Sequence, residues 1–225
     1  MKIKRKDSLF VIIFILICTI LVVKQSRNTF IDLTNQYPYL MGFIKVAVLA
    51  TMGELLASRI SKGTYKINGI ILKMIIWGLI GCSFVLVFKL FASGVIALQE
   101  DYLLPQISHH TFLGKLLFAF LTSTLMNLIF APTFMAFHRI TDTYIELGHG
   151  NLKQIASIKS EQVIKSIDWN HFIKFVVFKT IPFFWIPAHT VTFLLPEVYR
   201  VLVAALLSIV LGIILSLSKR QIKRL

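Results

Sequence analysis

Residues 116–138 read LLFAFLTSTLMNLIFAPTFMAFH, 23 positions without one Asp, Glu, Lys or Arg. A transmembrane helix needs about 20 mostly apolar residues to cross roughly 30 Å of hydrocarbon, so Leu116–His138 is a complete crossing by itself. Shorter charge-free windows lie on either side of it, at Ser8–Val23, Met74–Phe88, Thr180–Pro196 and Val201–Ser218. A flanking Lys extends such a window, because its stem lies along apolar surface while its ammonium reaches the headgroups. Lys73 and Lys89 bracket one helix in this way, about 24 Å apart at 1.5 Å per residue. A sixth span, about Tyr39–Ser58, carries Lys45 and Glu54 inside it. The expected fold is all-α, a polytopic transmembrane bundle of about six spans: one N-terminal anchor plus five core helices.

Composition agrees. Of 225 residues, 56% are hydrophobic and 15% charged, and the mean hydropathy is +0.78. Soluble domains carry about 25% charged residues, and disordered chains are poor in hydrophobic ones, so both classes are excluded. The net charge of +14 comes from 24 Lys and Arg against 10 Asp and Glu. These cations sit at span ends and not on a patch with interleaved aromatics, which argues against nucleic acid. With the N-terminus in the cytoplasm, six spans place 18 of the 24 on the inner side, as the positive-inside rule asks. The outer side keeps Lys24, Arg27, Lys45, Lys89, Lys115 and Arg200. Tyr37, Tyr39, Tyr102 and Tyr199 fall at outer boundaries and Trp169 at an inner one, an aromatic belt. Cys18 and Cys82 lie in apolar runs and form no disulfide framework or zinc motif.

Residues 1–30 are expected to be a basic segment and a signal-anchor helix. No small-x-small cleavage site follows them, although a cleaved signal peptide is the alternative. Residues 31–225 form the bundle, with an inner loop at 139–171. In that loop Gly148-His149-Gly150-Asn151 is a turn signal. Leu152, Ile155, Ile158, Val163, Ile164 and Ile167 then recur among lysines, so an amphipathic helix on the inner leaflet and a solvated connection both stay open. Asp142, Glu146 and His149 read as a solvated face. Ile- and Lys-heavy usage points to a bacterium, hence to a multi-pass protein of the cell (inner) membrane with both termini cytoplasmic. Its first partner is the lipid bilayer; other membrane proteins or a second copy are further ones.

Polar groups at membrane depth are costly without a partner, and so are informative. Glu54 shares a helical stripe with Ala47, Ala50, Thr51 and Ser58, a face small enough for a neighbouring helix to approach closely. Lys45, nine positions away, is on the opposite face. Glu54 therefore needs Arg59 or Lys73. The fourth span aligns Ser123, Asn127, Ala131 and His138, and Pro132 frees the Leu128 carbonyl. In the fifth, Pro182, Trp185, His189, Thr192 and Pro196 recur at offsets of three and four, and Pro182 and Pro187 free the carbonyls of Phe178 and Phe183. Two readings stay open for Glu54, Asn127, Trp185, His189 and Thr192: interhelical hydrogen bonding, or the lining of a polar path. Nucleophile-elbow, zincin and Walker motifs are absent. Glu54 is the one intramembrane acid, too few for a carboxylate pair. His109-His110 has no third ligand at metal spacing. Neither an enzyme nor a metal or cofactor site is expected.

Trp185-Ile186-Pro187-Ala188-His189, then Phe193, Pro196 and Tyr199-Arg200, resembles the W-x-P-x-Q, N-F, V-P, x-x-Y-R pattern of the Mpv-seventeen-type membrane proteins, small proteins of peroxisomal and mitochondrial inner membranes. Leu215-Ser216 falls where that family has Leu-Ser. Upstream, Tyr37-Pro38, Gly53-Glu54, Gly81, Phe88-Lys89 and Ala131-Pro132 resemble its other landmarks. The likeness covers about residues 37–218 and leaves out the first span. His189 stands for Gln, Thr192 for Asn, Cys82 for Pro, Val87 for Trp and Met126-Asn127 for Asp-Gln, and one residue is missing between Phe193 and Pro196. The resemblance implies a helical bundle forming a weakly selective channel for small solutes. The alternative is a structural or partner-binding membrane subunit without transport; a membrane-embedded enzyme comes third.

Overall fold

The computed structural model describes residues 5–108 and 110–222; the expectations that fall on Lys2, Lys4, His109, Lys223 and Arg224 lie outside them. The described chain is helical, with no strand: α1 Arg5–Val22, α2 Lys24–Gln36, α3 Pro38–Lys62, α4 Ile70–Glu100, α5 Phe112–Ile129, α6 Ala131–Leu147, α7 Leu152–Ser157, α8 Ser160–Ser166, α9 Trp169–His171, a π-helix Phe172–Trp185, α10 Ile186–Leu194 and α11 Glu197–Ile222. Five segments are long and apolar enough to cross a membrane: Pro38–Lys62, Ile70–Glu100, Phe112–Ile129, Trp169–Leu194 and Glu197–Ile214. Asp7–Val22 and Lys24–Gln36, bent by 85° from one another, make a sixth when taken together. The chain is an integral, multi-pass membrane protein built as an all-α bundle. Its outward faces carry exposed large apolar side chains on every span, as a lipid-facing surface must.

Helix α3 is the centre, packed by α4 on one side and α11 on the other. Small residues set both approaches. A methyl group on Gly81 of α4 would overlap the Gly42 carbonyl of α3, and one on Gly53 would meet the Ile209 backbone of α11 at 3.2 Å. The stripe of Ala47, Ala50, Thr51 and Ser58 is buried between these neighbours. The small-residue face of α3 is thus covered from within the chain, except where Ala50 also borders a cavity. Helix α10 packs on α5 across the bundle.

The bundle has two ends. At the proximal end, Arg59 from the last turns of α3 holds Asp7 at the start of α1 through two 2.7 Å bonds, and the Tyr65 hydroxyl donates to the same carboxylate at 2.8 Å. Burial first, then that bond to Asp7, raises the Tyr65 phenol above its ordinary value. The α3–α4 loop also touches the α6–α7 turn there, Gly69 against Gly150. At the distal end, α2 lies across the start of α11, with Phe30 stacked on Tyr199 at 6.3 Å.

Three elements depart from expectation. The crossing expected over Leu116–His138 is shifted: α5 starts at Phe112, and the helix breaks at Phe130, just before Pro132, whose missing N–H cannot continue the ladder. The fifth span is not α-helical throughout. Over Phe172–Trp185 it runs in the wider π register, where the Thr180 hydroxyl reaches the Phe175 carbonyl five residues back at 3.1 Å. In that register Pro182 withdraws a donor from the Val177 carbonyl, not from Phe178. Helix α4 does not end at Lys89 but runs on to Glu100, and Lys73 is buried instead of reaching headgroups. The inner segment 139–171 is α6, α7, α8 and α9 joined by short turns, with Val163 and Ile167 buried while Leu152 and Ile164 are exposed.

Candidate functional site

Glu54 projects from the proximal half of α3. Its carboxylate accepts a 2.6 Å bond from Trp77 Nε1 and lies 3.3 Å from Lys73 Nζ, both on α4. Arg59, the other candidate, is turned to Asp7. Lys73 is also paired with Asp142 and lies 3.9 Å from Glu146, both on α6. The solvated face expected for Asp142 and Glu146 is therefore half wrong: Glu146 is 53% exposed, but Asp142 belongs to an ion cluster around a lysine only 6% exposed. A buried ammonium is sustained only by close counter-charges, and α3 and α6 supply them. Burial and then the neighbouring Asp142 push the Glu146 carboxyl above its ordinary value. The His138 ring stacks at 4.2 Å on Trp77.

Deeper in the bundle, α5 and α10 meet through polar side chains. The Asn127 amide contacts His189 Nδ1 at 3.1 Å and donates to the Ser123 carbonyl at 2.8 Å. The Ser123 hydroxyl donates to the Ile186 carbonyl at 2.7 Å, bridging to the residue just before Pro187. His189 stacks on Trp185 at 5.1 Å and meets Phe88 edge-on at 5.7 Å.

Both groups line one cavity of about 490 Å³ that runs from the proximal end into the middle of the bundle. Glu54, Trp77, His138 and Asp142 line it toward the proximal end, and Asn127, Trp185, His189 and Phe88 toward the distal end. The walls between are aliphatic and aromatic. Two buried ring nitrogens, Trp185 Nε1 and His138 Nδ1, have no hydrogen-bond partner among the described residues. Of the expected residues, Glu54, Asn127, Trp185 and His189 line this space. Thr192 does not: it is fully buried and its hydroxyl turns back to the Ala188 carbonyl at 2.9 Å. Trp77, His138 and Asp142 were not singled out as partners of Glu54. The spacing of Lys73 and Trp77, one turn apart on α4, was the available signal. Of the family-like motif, Trp185 lines the cavity, Pro187 opens α10, Phe193 joins the core, Pro196 lies in the α10–α11 turn, and Tyr199 and Arg200 start α11.

A second pocket, about 360 Å³, opens at the distal end between α2, α3, α4 and α11. Phe88 lines both spaces. It is 5% exposed and packs on Phe84, Phe193 and His189 at 5.7, 5.3 and 5.7 Å. Among the described residues, no group of three His, Cys, Asp or Glu side chains is arranged to hold a metal ion. No family model matches the chain, and no curated protein or solved structure matches it either.

Proposed function

We propose that this membrane protein passes small solutes through its bundle, as the resemblance to the Mpv-seventeen type implies, without enzymatic chemistry. The observation that carries the reading is that two spaces, one among α3, α4, α5, α6, α10 and α11 and the other among α2, α3, α4 and α11, share Phe88 as a wall. Clefts of several hundred cubic ångströms with a few convergent polar groups are the usual form of small-molecule sites. The lining favours small molecules with an apolar body and one or two polar groups, which Trp185 Nε1 and His138 Nδ1 are free to bind. By the positive-inside rule the proximal end faces the cytoplasm of a bacterial cell.

The test is solute flux into liposomes of the reconstituted protein, using a size series of alkanediols, which have an apolar body and two hydroxyls, with protein-free liposomes as the baseline. Wild type is expected to leak slowly above protein-free liposomes, and Phe88→Ala, which joins the two spaces, to leak about tenfold faster. Glu54→Gln alters the rate or the size cut-off. Flux at the protein-free level in wild type and in folded Phe88→Ala overturns the reading. A second reading, a structural or partner-binding subunit, is favoured by the internal pairing of Glu54 with Lys73 and of Asn127 with His189. It expects no flux in any variant.

A further inference from the structure

The distal pocket is unbalanced in charge. Its polar lining consists of Thr34, Asn35, Lys45, Lys89, Glu197 and Arg200, three cations facing one carboxylate. Lys89 and Glu197 pair with each other at 3.1 Å on the exposed rim. Lys45 lies inside and is only 6% exposed. Its ammonium donates to the Thr34 hydroxyl at 2.9 Å and sits 4.5 Å over the Phe30 ring. Among the described residues no carboxylate pairs with it. Arg200 donates from Nε to the Leu195 carbonyl at 3.1 Å and from one Nη to Phe193 at 3.3 Å, over the Phe193 ring. These bonds fix its guanidinium at the pocket without neutralising it.

We propose that this pocket binds a phosphate group. Lys45 without a carboxylate, and Arg200 sharing the single Glu197 with Lys89, put one point charge and one rigid planar cation in the pocket, which suits a group with several anionic oxygens better than a neutral polar one. A buried, unpaired ammonium at membrane depth is otherwise hard to sustain. The third cation, Lys89, can exchange Glu197 for the ligand, and the Asn35 amide adds a neutral donor at the rim. Two sources share this chemistry: an anionic lipid headgroup of the adjacent leaflet, and a free phosphate or phosphorylated solute. The proposal stands apart from solute passage, since binding here does not require the path to conduct.

The experiment is a thermal-unfolding titration of the full chain in maltoside micelles. Ionic strength is held constant with chloride, and either inorganic phosphate or phosphatidylglycerol is added. At least one probe is expected to raise the wild-type Tm saturably. The half-saturating concentration rises about tenfold or more in Lys45→Met and in Arg200→Gln, stays within about threefold in Lys45→Arg, and is unchanged in Lys115→Gln, an exposed cation outside the pocket. A response to inorganic phosphate supports a soluble ligand; a response to phosphatidylglycerol alone supports a lipid. If Lys45→Met does not fold, Arg200→Gln carries the same comparison. The proposal is overturned if neither probe raises Tm, or if Arg200→Gln, together with Lys45→Met where it folds, responds like Lys115→Gln.

Discussion

Lysines near the ends of apolar helices extend toward headgroups because the ammonium is better solvated there. Lys73 turns inward instead, because Glu54, Asp142 and Glu146 surround its ammonium. This could not be read from spacing: Asp142 is 69 positions from Lys73 along the chain, and only the fold brings α6 beside α4. Glu54 was legible, since a carboxylate at membrane depth has to find a cation and Lys73 was one of two in reach. Glu146 supplies a pH prediction. Its carboxyl is raised above the ordinary value of 4.5, so the native state binds its proton more tightly than the unfolded chain does. That contribution is complete below pH 4.5 and is lost as pH rises through the raised value. Glu146→Gln, which cannot ionise, is expected to match wild type in Tm at pH 4 and to equal or exceed it at pH 7 to 8. The difference should be small, because the group is half exposed; a variant less stable than wild type only at the higher pH contradicts the assignment. Trp185 supplies a second. Its indole N–H is buried without a partner, so Trp185→Phe loses part of the ring contact with His189 and Phe184 but no hydrogen bond, and should cost less than about 2 kcal/mol. A loss of about 2 kcal/mol or more in denaturant unfolding would mean that the N–H is bonded after all.

At the scale of elements, hydropathy locates spans well and their boundaries poorly. The window at Met74–Phe88 marked α4 but missed its continuation to Glu100, because Lys89 looked like an end and is in fact an exposed residue paired with Glu197. Pro132 was read as freeing one carbonyl within a single 116–138 crossing, whereas α5 ends at Ile129. The π-helix was not legible. Offsets of three and four gave Pro182, Trp185, His189 and Thr192 one face, but the wider register carries the chain as far as Trp185, and only α10 keeps the α-helical spacing. The turn into α2 was also hidden, since a bend of 85° after Val22 leaves no Gly or Pro signature. Helix contact itself gives the clearest element-scale prediction. Gly81 and Gly42 let α4 and α3 meet backbone to backbone. Gly81→Ala must push these helices apart and should cost about 2 kcal/mol or more, seen as a fall in Tm in micelles. Gly94→Ala on the same helix, with open space at its Cβ, should lose nothing. Equal effects at the two positions would count against the packing described.

For the molecule as a whole, two spaces share Phe88 as a wall. Asp142, Asp168 and His171 border the larger one toward the end where α1 begins, and Thr34 and Asn35 of α2 border the other. Compositional reasoning placed the chain in the membrane and aligned Glu54, Asn127, Trp185 and His189 with a shared interior. It could not foresee the dividing layer, because Phe84, Phe88 and Phe193 are ordinary members of apolar runs until the helices bring them together. The most direct measurement is side-specific labelling of Ala50→Cys, a position on the wall of the proximal cavity, with Cys18 and Cys82 replaced by Ser. A small charged thiosulfonate that cannot cross lipid is applied to membrane vesicles of each orientation. The account predicts modification from the proximal side alone, and from both sides once Phe88→Ala is added. Equal modification of Ala50→Cys from both sides with Phe88 in place, or none from either, would contradict it.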